Sequence, residues 1–150
     1  MDNKFFTFNE YLRNSKKFLS PSEEDYIEMI YRLSKQKGFT RVSILAAALN
    51  VQPPSVTKMI QKFADLKLVK YEKYGVIRLE PLGKELGKSL LDRHNLVEEF
   101  LELISVKKAL LETTEKLEHA IDDEVYLGLK NLINFFKDNP DILEKYKKYK

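Results

Sequence analysis

Two histidines and a handful of acids are the residues whose types and spacing could do chemistry in this chain. His119 closes Glu115-Lys116-Leu117-Glu118-His119. On a helix, positions i, i+3 and i+4 share one face, so Glu115, Glu118 and His119 present two carboxylates and an imidazole together. Asp25 and Glu28 have the same i, i+3 spacing near the start of an earlier helix, and His94 lies in Asp92-Arg93-His94-Asn95. Together these nitrogen and oxygen donors suit borderline-hard divalent cations. Each group also has a plainer reading. Acids near a helix start are favoured by its dipole, Glu115 and Glu118 balance Lys107, Lys108 and Lys116, and a histidine beside Arg93 is more often a surface or internally satisfied group.

A second set of residues has the makings of a nucleic-acid surface. Pro53 and Pro54 start a helix abruptly, so that its first turn can project into a major groove, exposing Gln52, Pro54, Ser55, Thr57, Lys58, Gln61 and Lys62. Glutamine, serine and threonine can address base edges, and lysine addresses phosphates or guanine. Between Gln52 and Glu80 six basic residues oppose three acids, so this segment holds the whole formal charge of +3. A lysine-rich helix alone is an ordinary solvated face; the element order around it gives the lysines a use.

That order is helix, short turn, helix, then a two-stranded hairpin, which is the order of a winged helix-turn-helix. Ser20-Pro21-Ser22-Glu23 reads as a helix start, with Ser20 as cap, Pro21 in the first turn and Glu23 closing a capping box. Ile27, Ile30, Tyr31 and Leu33 follow on one stripe, and Lys37-Gly38 ends the element. A second helix is expected near Val42, with Ser43 as its cap, and alanines 46 to 48 let it approach the third helix closely. Leu68 to Tyr71 and Val76 to Leu79 look like strands, with Lys73-Tyr74-Gly75 at the hairpin tip and Lys73 facing a partner. From Pro81 the chain is helical: Leu82 to Ile104, Leu110 to Ala120 and Glu124 to Phe136. The lysine-rich tail DILEKYKKYK is expected to fray. The reading is a mainly α protein with a small β-hairpin wing: residues 20–82 a winged helix-turn-helix domain, residues 83–150 a helical metal-binding and dimerisation domain. Residues 1–19, with Phe5, Phe6, Phe8, Tyr11 and Leu12, are an extension to which no role is assigned, weakly patterned as a short helix.

The 150 residues are 43% hydrophobic and 33% charged, as expected of a chain that buries a core. Absence of cysteine excludes disulfides, zinc ribbons and thiolate catalysis. No run of about 18 apolar residues exists, and the N-terminus mixes charges instead of carrying an apolar stretch. A cytoplasmic protein with no membrane partner is expected.

The stretches SPSEEDYIEMIY, RVSILAAALNVQPPSVTKMIQKF, YEKYGVIRL, DRHNLVEEFL and EKLEH resemble the DtxR/MntR family of metal-dependent transcriptional regulators, most nearly its manganese transport regulator branch. The likeness runs over about residues 20 to 136, in order and with compatible spacing. It implies a homodimer that binds a palindromic double-stranded operator and represses metal-uptake genes. It also implies metal ligands at Asp25, Glu28, His94, Glu115, Glu118 and His119, forming a two-metal site for Mn(II). Iron-responsive relatives place sulfur ligands at the first of these positions and at the Glu118-like one; Asp25 and Glu118 stand there in this chain, which points to manganese. Other divalent transition metals would substitute in vitro. The resemblance further suggests a member lacking the SH3-like domain of longer iron-type relatives. Two rivals remain open at this point: a winged-helix regulator with a non-metal effector, and a di-metal hydrolase. The second lacks a clear nucleophile, a phosphate cradle and any histidine beyond the ligands, and no small organic substrate is implied.

Overall fold

The structure is a computed structural model that describes residues 18–149 together with Phe5 and Thr7. The helix suggested within residues 1–19 lies outside the described residues. Where description resumes, Phe18 is exposed and Leu19 is buried in the core.

Helix α1 (Pro21–Ser34) begins as its capping box dictates. The Ser20 Oγ accepts from the Glu23 backbone N–H at 3.2 Å, and the Glu23 carboxylate accepts from the Ser20 N–H at 3.3 Å. A two-residue strand β1 (Thr40–Arg41) leads directly into α2 (Val42–Leu49). Asn50, left-handed at φ 55°, ends α2 and turns the chain into α3 (Pro53–Asp65). Strands β2 (Val69–Glu72) and β3 (Val76–Leu79) form the hairpin, joined by a 3-10 turn over Lys73–Gly75. The sheet is antiparallel in the order β1-β3-β2, with Thr40 opposite Ile77 and Lys70 opposite Arg78. The long helix α4 (Pro81–Leu103) then leads to α5 (Leu110–Glu118), α6 (Asp123–Asp138) and α7 (Pro140–Lys147).

Two expectations need correcting. Ser43 does not cap α2: Arg41 is the residue before the helix, because pairing of β1 with β3 holds the chain extended up to that point. The tail does not fray as expected. Asn139-Pro140 restarts the chain as α7, and the Tyr146 ring packs on Phe136 of α6 at 5.4 Å between centroids.

One apolar cluster holds the N-terminal half together. Ile27 and Ile30 of α1, Leu45 of α2, Val56, Ile60 and Phe63 of α3, and Leu68 and Ile77 of the hairpin are wholly buried in it. Each such side chain contributes roughly 1.5–3 kcal/mol when removed from water. Helix α4 starts against this cluster through two glycines. A Cβ on Gly83 would stand 2.0 Å from the Leu68 carbonyl oxygen, and one on Gly87 would stand 2.6 Å from the Tyr31 Cβ. Absence of side chains there lets α4 lie against both the hairpin and α1. That close approach brings His94, two turns further on, beside the acids of α1.

Candidate metal centre and nucleic-acid interface

The acids and histidines singled out in the sequence sit on three helices that converge. The capping box fixes the phase of α1, turning Glu24 and Glu28 inward and leaving Asp25 at the edge. His94 points inward from α4 and is buried, while Glu118 and His119 stand at the C-terminal end of α5. Glu118 is only 3% exposed. Its Oε2 lies 2.6 Å from the His94 Nδ1, and its Oε1 lies 3.6 Å from the His119 Nε2. The same His119 nitrogen is 2.7 Å from Asp25 Oδ1.

Two triads result, each with its donor atoms within 4.8 Å of one another: Asp25, Glu118 and His119, and Glu28, His94 and Glu118. Glu118 belongs to both. Glu115 stands at the rim, outside either triad, with its Oε1 4.0 Å from the His94 Nδ1 and its side chain 44% exposed. Five of the six expected residues therefore fall in two triads that meet at Glu118, and Glu115 falls in neither.

The charges are held under tension. Burial, reinforced by Glu118, pushes the Glu28 carboxyl up to about 7, although Arg32 at 2.7 Å and His94 pull it down. Burial and the charges of Glu118 and Asp25 also raise Glu115. The hydrogen bond to Glu118 raises the His94 imidazole against the opposing effect of burial. Burial alone would lower His119, but its hydrogen bonds to the Asp25 and Glu24 carboxylates outweigh that and carry the group up to about 10.

These residues fit a divalent metal. The Glu118 Oε1 is buried with no hydrogen-bond partner, an arrangement that is costly unless something else satisfies it. The donors are carboxylate oxygens and imidazole nitrogens only, the set such ions prefer.

Sequence reasoning missed a supporting layer. Glu24, 6% exposed, lies 3.6 Å from an Arg93 nitrogen and 3.5 Å from the His119 Nδ1. Glu98 reaches the other His94 nitrogen at 3.4 Å. The one available signal was the i, i+4 spacing of Glu24 and Glu28, which puts both on the same face of α1.

On α3, Val56, Ile60 and Phe63 face the core, and Gln52, Pro54, Ser55, Lys58 and Gln61 are exposed together. Two of the expected contacts are already engaged. The Thr57 hydroxyl donates to the Pro53 carbonyl at 3.2 Å, and the Lys62 ammonium pairs with Glu23 of the α1 capping box. Lys73 is exposed at the wing tip. Beside it, and missed in the sequence, the Tyr74 ring is 89% exposed.

Comparison with known proteins agrees with this geometry. Residues 18–77 match the model of the iron dependent repressor N-terminal DNA binding domain, and residues 80–147 match that of the iron dependent repressor metal binding and dimerisation domain. The HTH-type transcriptional regulator MntR of Oceanobacillus iheyensis is 43% identical over 130 residues, covering 86% of this chain and 88% of the relative. That of Listeria welshimeri is 43% identical over 129 residues, covering 85% and 91%. The structure of the manganese regulator SloR superposes with a TM-score of 0.67 at 29% identity, covering 78% of this chain; the chain spans 55% of that structure's length. The chain therefore belongs to the iron-dependent repressor family, beside the regulators named MntR: it is a metal-responsive, DNA-binding transcriptional repressor, not an enzyme, that forms a homodimer through a metal-binding C-terminal half.

Proposed function

We propose that the chain is a manganese-activated repressor of metal-uptake genes, acting in the cytoplasm on a palindromic operator. The proposed ligands are Asp25, Glu28, His94, Glu115, Glu118 and His119, which would hold two Mn(II) ions per chain. The observation that carries this reading is the membership of buried Glu118 in both triads. Manganese is supported by the names of the relatives and by a donor set without sulfur.

When bound, the cations supply the positive charge that lets these carboxylates share one small volume. Asp25 and Glu28 belong to α1, and α1 packs on the helix-turn-helix; Glu115, Glu118 and His119 belong to α5. We place the boundary between the halves at residues 82 and 83, within the first turn of α4. A ligand set split in this way ties the orientation of the DNA-binding half to the dimer scaffold. With the halves tied, two recognition helices α3 are held at a separation near one turn of DNA. Affinity is otherwise reduced by the fraction of time the dimer is misaligned, and couplings of this kind are commonly about 5- to 150-fold. Gln52, Pro54, Ser55, Thr57, Lys58, Gln61, Lys62 and Lys73 make the proposed DNA surface, with Thr57 and Lys62 exchanging their internal partners for DNA on docking.

The test is fluorescence anisotropy on duplexes selected by the protein from a random pool. Binding that appears with Mn(II) and vanishes with chelator supports the reading. Specific binding indifferent to chelator would sink the metal switch and favour a non-metal effector.

A further inference from the structure

The wing tip carries a residue whose backbone and side chain are at odds. Tyr74 adopts φ 63°, ψ 28° inside the turn between β2 and β3, a left-handed conformation that favours glycine or asparagine. Its ring is 89% exposed and so gains nothing from burial that would offset the strain. The conformation belongs to the tight turn, where Gly75 is left-handed too (φ 71°), and it is braced from outside the hairpin: Arg41 Nη1 donates to the Tyr74 carbonyl oxygen at 2.9 Å, across 33 positions of sequence. Arg41 is itself fixed, because it pairs with Val76 in the sheet, stands immediately before α2, and lays its guanidinium over the Phe39 ring at 5.8 Å. The first helix of the helix-turn-helix and the wing tip are thereby latched together.

From this we infer that Tyr74 is a DNA-contacting residue of the wing, meeting the sugar–phosphate backbone beside the groove that α3 enters, and that Arg41 is the positioning residue that aims it. The inference rests on the repressor reading. Strained, over-determined backbone with an outward-facing side chain is the arrangement expected where the strain serves binding. A phenol fits this partner: the hydroxyl donates to a phosphate oxygen, and the ring lies on deoxyribose. Exposed Lys73 stands next to it in the turn, and Arg41, which holds its carbonyl, is a second cation there, while Arg78 over the Phe39 ring is paired with Glu72. Arg41 keeps its guanidinium on the Tyr74 carbonyl, so it acts through the tip and not on the DNA directly.

The experiment combines anisotropy on an operator duplex at saturating Mn(II) with thermal unfolding of the same proteins. Tyr74→Gly relieves the left-handed strain and is expected to raise the melting temperature while weakening DNA binding about five- to fifty-fold, for two lost hydrogen bonds per dimer. Arg41→Ala should weaken binding to a similar extent in the parent and add little in the Tyr74→Gly background. It should leave the slope of log affinity against log salt unchanged, whereas loss of a direct phosphate contact in each subunit would lower that slope by about two. Undiminished binding by Tyr74→Gly would overturn the inference while leaving the repressor reading intact. Full additivity of the two substitutions, or a reduced salt slope for Arg41→Ala, would overturn the positioning role. A parent protein that bound no duplex with or without metal would overturn the repressor reading and this inference together.

Discussion

Metal loading should expel protons, and the number expelled can be worked from the site. His119, held near 10 by Asp25 and Glu24, carries essentially one proton at pH 7, and Glu28, near 7, carries about half of one. His94, raised above its usual value by Glu118, adds a further fraction. All three must be deprotonated to ligate a cation. Roughly 1.5 to 2 protons per chain should therefore leave when the site fills at pH 7, and the logarithm of the affinity should rise by about the same number per pH unit. The assay is isothermal titration calorimetry with Mn(II) in buffers of different protonation enthalpy, since the slope of the observed heat against that enthalpy counts protons. Repeating the titration with His119→Ala should lower the count by about one as well as weakening binding. Release of fewer than about 0.5 protons, with an affinity flat from pH 6 to 8, would refute the placement of the metal among these groups.

Other perturbations follow from the same geometry. Glu118→Gln removes the carboxylate common to both triads, so DNA affinity measured by anisotropy should no longer respond to Mn(II), while the metal-free protein, relieved of one buried charge beside Glu28, should unfold at a higher temperature at pH 8. Metal-free protein should lose stability as pH rises. Glu28 is raised from 4.5 to about 7 on folding, so its contribution of about 3 kcal/mol is present below pH 4.5 and lost through pH 7. His119 acts in the same direction between 6.5 and about 10, and both should appear in thermal melts run from pH 5 to 9 without metal. Gly83→Ala should destabilise despite alanine's advantage in a helix of about 1 kcal/mol, because its Cβ meets the Leu68 carbonyl oxygen; denaturant unfolding gives the sign. Glu24→Gln should lower Mn(II) affinity about 10- to 100-fold by calorimetry, as removal of a group that orients a ligand imidazole commonly does.

Much of this was legible from residues alone, where a local rule decides the outcome. The α1 start follows from Ser20-Pro21-Ser22-Glu23, since a capping box satisfies its own orphan donors whatever lies elsewhere. The hairpin and the helical face that Glu115 shares with Glu118 and His119 are likewise matters of period. Features that depend on distant partners stayed hidden. Strand β1 is two residues long and exists because β3 offers it hydrogen bonds, so Ser43 looked like the cap of α2. Tyr74 looked like an ordinary tip residue because the contact that braces its carbonyl comes from Arg41, far away in sequence. Helix α7 was missed for another reason. Asn139-Pro140 announced it, but six lysines and acids in the stretch outweighed the signal, and what secures the helix is contact between Tyr146 and Phe136. For Glu24, burial was the missing fact, and burial is set by the crossing of α1 and α4 at Gly87.

The energetics of the site also bear on why it can act as a switch. A fold selected for stability alone would not crowd Glu28 and Glu118, both almost wholly buried, around two histidines, with Arg32 paired to Glu28. Burial pushes the Glu28 carboxyl up to about 7, and Glu118 Oε1 goes without a hydrogen bond. The metal-free arrangement is therefore a compromise whose cost falls at the junction between the two halves, where α1, α4 and α5 meet. A ligand that favours one state stabilises it by an amount set by its concentration relative to its dissociation constant. When the competing state is burdened with unpaired charge, a modest ion concentration suffices to change which arrangement of the halves predominates. The same tension sets a limit. Were these acids replaced by well-packed apolar residues, the junction would be rigid at all metal levels, and the DNA-binding half would no longer report on the metal at all.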